Sequence, residues 1–251
     1  MKTRINEIQV RSVLTKSGIS GMKYCVNPYV GCAHACRYCY AVFMKRFTGH
    51  TEPWGSFVDV KVNAADVLLR QLRRAERGTV MVSSVTDAYQ PVEAKYGLTR
   101  KCLEVLSQFN FPVSVLTKSP LVLRDTDIIS KFNEADVGLT ISTDDDRIRK
   151  IFEPAAPPVA ARIDALKKLG EAGINTFVFI GPLLPMDPES LAKQINPYTD
   201  SIIIDSMNYV SKTEWVYKKH RLEKWLDRDL IEVTVSRLRK SLSAKDISVI
   251  C

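Results

Sequence analysis

The stretch Asn27-Pro-Tyr-Val-Gly-Cys-Ala-His-Ala-Cys-Arg-Tyr-Cys-Tyr-Ala-Val-Phe-Met44 holds Cys32, Cys36 and Cys39 at the spacing C-x3-C-x2-C. A [4Fe–4S] cubane offers four irons to thiolates, and the usual protein answer is four cysteines. Three thiolates leave one iron for a ligand that is not protein. Two plainer readings compete. A disulfide framework is disfavoured, because six cysteines in 251 residues is not dense and the opening MKTRINEIQV lacks the apolar core of a signal peptide. That context predicts a cytoplasmic, reducing setting. A zinc site of the three cysteines with His34 or His50 is chemically open, since zinc accepts a Cys3His set. Structural zinc ligands usually come as two separated pairs, however, and Cys25, Cys102 and Cys251 stand alone, reading as small buried hydrophobes.

Tyr38, the aromatic before the third cysteine, extends the pattern to C-x3-C-x-aromatic-C. With it the chain resembles the radical S-adenosylmethionine (SAM) enzymes. The resemblance implies a [4Fe–4S] cluster on Cys32, Cys36 and Cys39, SAM chelating the open iron, and a one-electron donor of the flavodoxin or ferredoxin type. It also implies that Tyr38 packs beside the adenine.

Length and composition fit this reading. A chain of 251 residues with 45% hydrophobic content supports one sizeable core, and no apolar run approaches the roughly 18 residues that span a bilayer, so no membrane partner is expected. The net charge of +8 points toward a polyanion such as DNA or RNA. The basic residues are nonetheless spread over several segments, as on ordinary solvated faces.

β-branched runs alternate with helix-length amphipathic segments, the pattern of a parallel α/β sheet. Strands are expected at 23–26, 79–83, 112–117, 137–142, 176–180 and 201–205, and helices at 64–76, 98–108, 123–132, 158–172 and 190–195. Six βα units match the partial (β/α)6 TIM-type barrel that the resemblance implies. The barrel core would cover about 20–206 of a single domain, with a C-terminal helical extension over 207–251. The extension reads as helices at 213–225 and 229–241 and an apolar end at 247–250, placed to cap the open barrel side.

Working groups in such barrels sit at the C-terminal strand ends. After the second strand stand Ser83, Ser84, Thr86 and Asp87, a polar cluster able to receive the ammonium of SAM, or simply a strand end and turn. Lys118 follows the third strand and can pair with a carboxylate. Ser142 ends the fourth and can bind a carboxylate or ribose hydroxyl. Arg162 lies early in the next helix, where the dipole disfavours a cation, so a ligand contact is expected. Gly181 follows the fifth strand, where a residue without a side chain permits close approach of a ring; Gly-Pro is also an ordinary turn signal.

The runs Cys32–Tyr40, Ser84–Glu93 and Leu116–Ser119 narrow the resemblance to the group related to spore photoproduct lyase. It implies that Tyr38 and Tyr40 relay a hydrogen atom toward SAM. The lyase also uses a cysteine near the end of its second strand to quench the product radical, and 81–87 contains none, which counts against thymine-dimer repair. Cys102 is the candidate replacement. The leading expectation is a radical SAM enzyme that abstracts hydrogen, with a nucleic-acid base as first candidate substrate. A protein side chain or small metabolite is the second, and a non-catalytic, zinc-stapled nucleic-acid-binding protein the third. His34, His50 and His220 receive no role.

Overall fold

β-branched runs bury both faces of a strand only when helices cover the sheet on either side, and the chain folds accordingly. The computed structural model describes residues 3–199, 201–207, 210–243 and 246–250, so Cys251 lies outside the described residues. The chain begins with β1 (Arg4–Ile8), β2 (Leu14–Lys16), β3 (Tyr24–Val26) and β4 (Tyr29–Val30). The cysteine loop comes next and runs into a 3-10 turn at Tyr40–Met44 and the single-turn α1 (Lys45–Thr48). Next come β5 (Phe57–Lys61), α2 (Ala64–Leu72), β6 (Val80–Val82), α3 (Glu93–Tyr96), α4 (Leu98–Gln108) and β7 (Val113–Thr117). The second half holds α5 (Thr126–Ile129), β8 (Ala135–Thr140), α6 (Asp146–Phe152), α7 (Val159–Glu171), β9 (Asn175–Ile180), α8 (Pro188–Ile195) and β10 (Ser201–Asp205). It closes with α9 (Val210–Lys219), α10 (Arg228–Ser241) and β11 (Asp246–Ile250).

The main sheet has eight strands in the order β2-β3-β6-β7-β8-β9-β10-β11, with β2 antiparallel to β3 and every other neighbouring pair parallel. It stays open, with β2 and β11 at its edges. This is the partial barrel expected, and all six predicted strands are present within two residues. The main core lies between sheet and helices, around Val26, Val82, Val115, Leu139, Ile180 and Ile204.

Three features depart from the sequence reading. The apolar end at 247–250 does not cap the open side: β11 adds a seventh parallel strand, with Ile202 opposite Ile247 and Ile204 opposite Val249. Helices α9 and α10 serve as its crossover. The helix expected at 123–132 is a 3-10 turn at Pro120–Asp125 followed by the single-turn α5, because Pro120 starts a tight turn capped by the Ser119 side chain, which accepts from the Leu121 amide at 3.2 Å. A second, three-stranded sheet, β1-β5-β4, was not foreseen. β4 has only two residues and β5 carries a buried Asp59, so neither shows a clear period-two pattern.

That small sheet backs the cysteine loop. Gly31 leaves β4 at φ 81°, and a Cβ there would stand 2.4 Å from the Phe57 carbonyl oxygen. Only glycine combines that backbone with that approach. Gly31→Ala is therefore expected to destabilise the protein by about 1–3 kcal/mol, read as a lower urea midpoint at unchanged slope. An unchanged midpoint would show that the loop can move off β5 without penalty.

Candidate functional site

The loop from Gly31 to Cys39 is short of internal backbone pairing, so its polar groups must find partners elsewhere. They find them on the segment after β6. The Thr86 hydroxyl donates to the Gly31 carbonyl at 2.6 Å, and the Gln90 side-chain amide donates to the same oxygen at 3.1 Å. The Gln90 carbonyl oxygen accepts from the Ala33 amide at 2.9 Å. From the other side, the Arg37 amide donates to Phe152 O at 2.8 Å and the Ala155 amide to His34 O at 3.3 Å. The loop is thus clamped between the segment after β6 and the C-terminal end of α6.

The thiols of Cys36 and Cys39 disfavour ionisation of Cys32, and Cys39 that of Cys36. Burial is the larger cause and pushes Cys32 well above the usual thiol range, Cys36 up to about 12 and Cys39 upward. Lys118 opposes this at Cys36 and Cys39, and the Trp54 indole opposes it at Cys39. Such thiols stay protonated until a metal displaces the proton. Among the described residues no three His, Cys, Asp or Glu groups converge on a point where a single ion could be held.

Beside the thiols lies a buried charge network. The Glu153 carboxylate accepts from the Tyr38 hydroxyl on one oxygen and from Arg162 Nη2 on the other. Lys118 Nζ lies 3.9 Å from Glu153 Oε1 and 5.7 Å from the centre of the Tyr38 ring. Burial alone would push Glu153 up, but Arg162 and Lys118 outweigh it and hold its carboxyl below the usual range. Burial likewise works against the Lys118 charge, and Cys36 and Glu153 overcome it, so its pKa is raised. The network of one carboxylate and two cations leaves an excess positive charge facing the thiols.

The predicted site residues divide into two groups. Lys118, Tyr38, Cys36 and Cys39 come together. Ser83 sits at φ 69° with a buried hydroxyl that meets no protein partner, and the Ser142 hydroxyl donates to Gly181 O at 3.1 Å. A Cβ at Gly181 would strike the Phe179 ring at 2.3 Å. Ser84 accepts from Asn27 Nδ2 at 3.3 Å on its hydroxyl, and from the Tyr40 hydroxyl on its carbonyl. Thr86, Asp87 and Arg162, by contrast, are committed to protein partners. Thr86 clamps Gly31, and Asp87 accepts from the Thr117 hydroxyl at 2.6 Å and the Lys118 amide at 2.9 Å. Burial of Asp87 is outweighed by these bonds and by His34, whose Nε2 lies 3.3 Å away, so its carboxyl is held far below the ordinary range. Arg162 was expected to reach a ligand; instead it turns inward to Glu153, to Thr140 O at 2.9 Å and to Pro157 O at 3.0 Å. The run of prolines before α7 folds the chain back over it.

Several contributors escaped sequence reading: Gln90, Glu153, His34 and Trp54. Glu153 had a signal, standing nine residues before Arg162 across the prolines. His50 is structural, stacked on Phe57 at 3.8 Å and held between Glu52 and Asp59. Cys102 is fully buried in the main core on α4. Cys25 instead lines a 390 Å³ cavity with Tyr40 and Ser84. The C-terminal extension does reach the site, because Val216 and Tyr217 of α9 pack with Tyr38, Phe152 and Leu184.

An open parallel α/β barrel with a clamped three-cysteine loop at its strand ends defines a class of radical enzymes. The profile of the radical SAM superfamily matches residues 26–195, and the chain belongs to that superfamily. It is 38% identical over 224 residues to an uncharacterized protein of Methanocaldococcus jannaschii, covering 88% of this chain and 83% of that one. The radical SAM Nalpha-GlyT isomerase of Pseudomonas phage M6 is 24% identical over 161 residues, 63% of this chain and 33% of the phage protein. The fold is similar to that of spore photoproduct lyase complexed with dinucleoside spore photoproduct, at a TM-score of 0.71 and 15% identity, over 98% of this chain and 81% of the lyase. The protein is therefore an enzyme that uses a [4Fe–4S] cluster and SAM. No helix among the described residues is long and apolar enough to cross a membrane.

Replacing Glu153 by Gln leaves the Arg162 guanidinium buried against a neutral amide. A loss of about 3–5 kcal/mol is expected for breaking such a pair from one side, measured by urea denaturation. A loss below 1 kcal/mol, at the level of an exposed pair, would show that water reaches Arg162.

Proposed function

We propose that Cys32, Cys36 and Cys39 hold the cluster and that the enzyme abstracts a hydrogen atom from a nucleic-acid base. The observation that carries this reading is the C-x3-C-x2-C set of Cys32, Cys36 and Cys39 on one clamped loop, within the radical SAM match over residues 26–195 and in the field of Lys118. When bound, the cluster and SAM together supply one-electron cleavage of the sulfonium C–S bond, which gives methionine and a 5′-deoxyadenosyl radical able to take hydrogen from a substrate. A one-electron donor of the flavodoxin or ferredoxin type feeds this chemistry.

The chain's own residues bind and orient. Lys118, already charged and held by Glu153, offers a charge-assisted bond to the carboxylate of SAM. Ser83, Ser84 and Ser142 offer hydroxyls at the neighbouring strand ends, while the space beside Gly181 is taken by the Phe179 ring. Thr86, Asp87 and Arg162 act as positioning residues: Thr86 fixes the loop, Asp87 the Lys118 backbone, and Arg162 the carboxylate that steadies Tyr38 and Lys118. Burial of Tyr38 against α9 keeps water from the cluster loop. Tyr40 stands half exposed on the substrate side, next to Cys25. The nucleic-acid reading rests on the net charge of +8 and on likeness to the spore photoproduct lyase group.

Single alanine variants of Cys32, Cys36 and Cys39, reconstituted anaerobically, are expected to lose most of their iron and sulfide, whereas Cys25→Ala and Cys102→Ala keep them. Full iron in any of the first three would remove that cysteine from the ligand set. Lys118→Ala is expected to weaken SAM binding about ten- to a hundredfold, the worth of one charge-assisted bond; equal affinity in equilibrium dialysis would assign Lys118 to the charge network alone. The reaction itself is tested by incubating reduced enzyme with SAM and a deuterated oligonucleotide. Deuterium should appear in 5′-deoxyadenosine. Deuterium arriving from a labelled peptide or metabolite pool instead would overturn the choice of substrate.

A further inference from the structure

Arginines on a folded surface often pair with carboxylates, and several of this protein's do. Arg77 meets Glu134 at 2.7 Å, Arg100 meets Asp127 at 2.8 Å, Arg124 meets Glu93 at 2.6 Å and Arg237 meets Glu189 at 2.6 Å. One face gathers five cations without such partners. A groove of about 650 Å³ between the β2 hairpin and α2 is lined by Arg11, Lys16, Arg70, Arg73 and Arg74, with no acidic residue in its lining. All five are exposed, and none makes a side-chain hydrogen bond or ion pair among the described residues. Lys16 feels Glu76, but that carboxylate is already bonded to Lys23 at 2.8 Å.

The walls are built rather than loose. Gln71 of α2 accepts from the Val13 and Leu14 amides at 2.8 and 3.0 Å and donates to Leu14 O at 3.2 Å, tying the hairpin to the helix. Cations at a helix C-terminus are favoured by its dipole, which accounts for Arg70 and its neighbours. It does not account for Arg11 and Lys16, which face them from a different element. Five uncompensated charges on two facing walls repel one another unless an anion lies between them.

The groove also leads to the site. Lys16 lines both this groove and the 390 Å³ cavity that contains Tyr40, Ser84 and Cys25. Beyond Tyr40 the chain exposes Phe43 and Phe47, with ring centres 6.2 Å apart from Tyr40 to Phe43 and again from Phe43 to Phe47. Cations followed by a row of exposed aromatic faces form the arrangement that tracks a single strand, with phosphates on the cations and unpaired bases on the rings.

We propose that this groove binds the backbone of a single-stranded nucleic acid and leads it over Lys16 to Tyr40. The proposal rests on the nucleic-acid reading given above. A single phosphate would leave most of the five cations unused, and the exposed rings of Phe43 and Phe47 suit unpaired bases, which a duplex keeps stacked inside.

The test is fluorescence anisotropy with labelled single-stranded DNA and RNA from 50 to 200 mM salt, on the cluster-loaded enzyme. Each neutralised phosphate of a single strand contributes about 0.7 to the slope of log affinity against log salt. The variant Arg70→Gln/Arg73→Gln/Arg74→Gln should flatten that slope by about 2, and Arg11→Gln/Lys16→Gln, on the opposite wall, by about 1.4. Phe47→Ala should lower affinity about tenfold with the slope unchanged. Iron content and thermal unfolding report whether each variant is folded, and the two walls are independent trials. A control, Lys167→Gln/Lys168→Gln/Lys193→Gln, removes three charges from α7 and α8 and should leave binding as it is. If the control weakens binding as much as the groove variants do, or if those variants bind like wild type, the groove assignment falls alone. If wild-type enzyme binds no oligonucleotide at 50 mM salt, the nucleic-acid reading falls and the groove with it.

Discussion

The ion pair between Glu153 and Arg162 is the contact on which the site depends. Both side chains are about 1% exposed, so neither charge can be left to water. The remaining donors of Arg162 go to the end of β8 and to the proline run, and the second oxygen of Glu153 goes to Tyr38. One buried pair thereby joins a strand end, the connection into α7 and the cysteine loop. Lys118 enters the same field from β7. Such a pair contributes little net stability against an apolar replacement, yet it permits only one arrangement of the groups around it.

On the opposite side of the loop the constraint is neutral and steric. Gly31 lets the chain pass within contact distance of β5, and Thr86 with Gln90 takes up the carbonyl exposed by that turn. Asp87 continues the pattern toward Lys118 and His34. The polar stretch after β6 therefore works mainly as scaffold. Its side chains hold the loop and the lysine, while a ligand is left with the hydroxyl of Ser83, the Lys118 ammonium and whatever the strand ends expose.

The charge of the molecule is distributed unevenly. Buried cations are matched or placed against thiols, and some of the surface arginines pair with carboxylates. Five cations without such partners gather between the β2 hairpin and α2, on the side where Tyr40 opens toward solvent. Net charge alone does not show this, because it counts paired and unpaired cations alike.

Much was legible in the chain itself. The spacing of Cys32, Cys36 and Cys39 singled out the cysteine loop, and apolar runs separated by helix-length segments announced the parallel sheet, because both are local patterns set by bond lengths and residue periods. Lys118 could be placed at a strand end for the same reason. The small sheet, the strand at Asp246–Ile250 and the inward turn of Arg162 could not be read. Each depends on a partner far along the chain: β5 for Arg4–Ile8, β10 for the terminal strand, and Glu153 together with the end of β8 for the arginine. A two-residue strand or a charged side chain looks alike in sequence whether it meets protein, ligand or water. Local order set the cysteines and the strands; only the tertiary fold, by deciding which buried charges and carbonyls had to be satisfied by one another, decided which polar residues became framework and which were left free to bind.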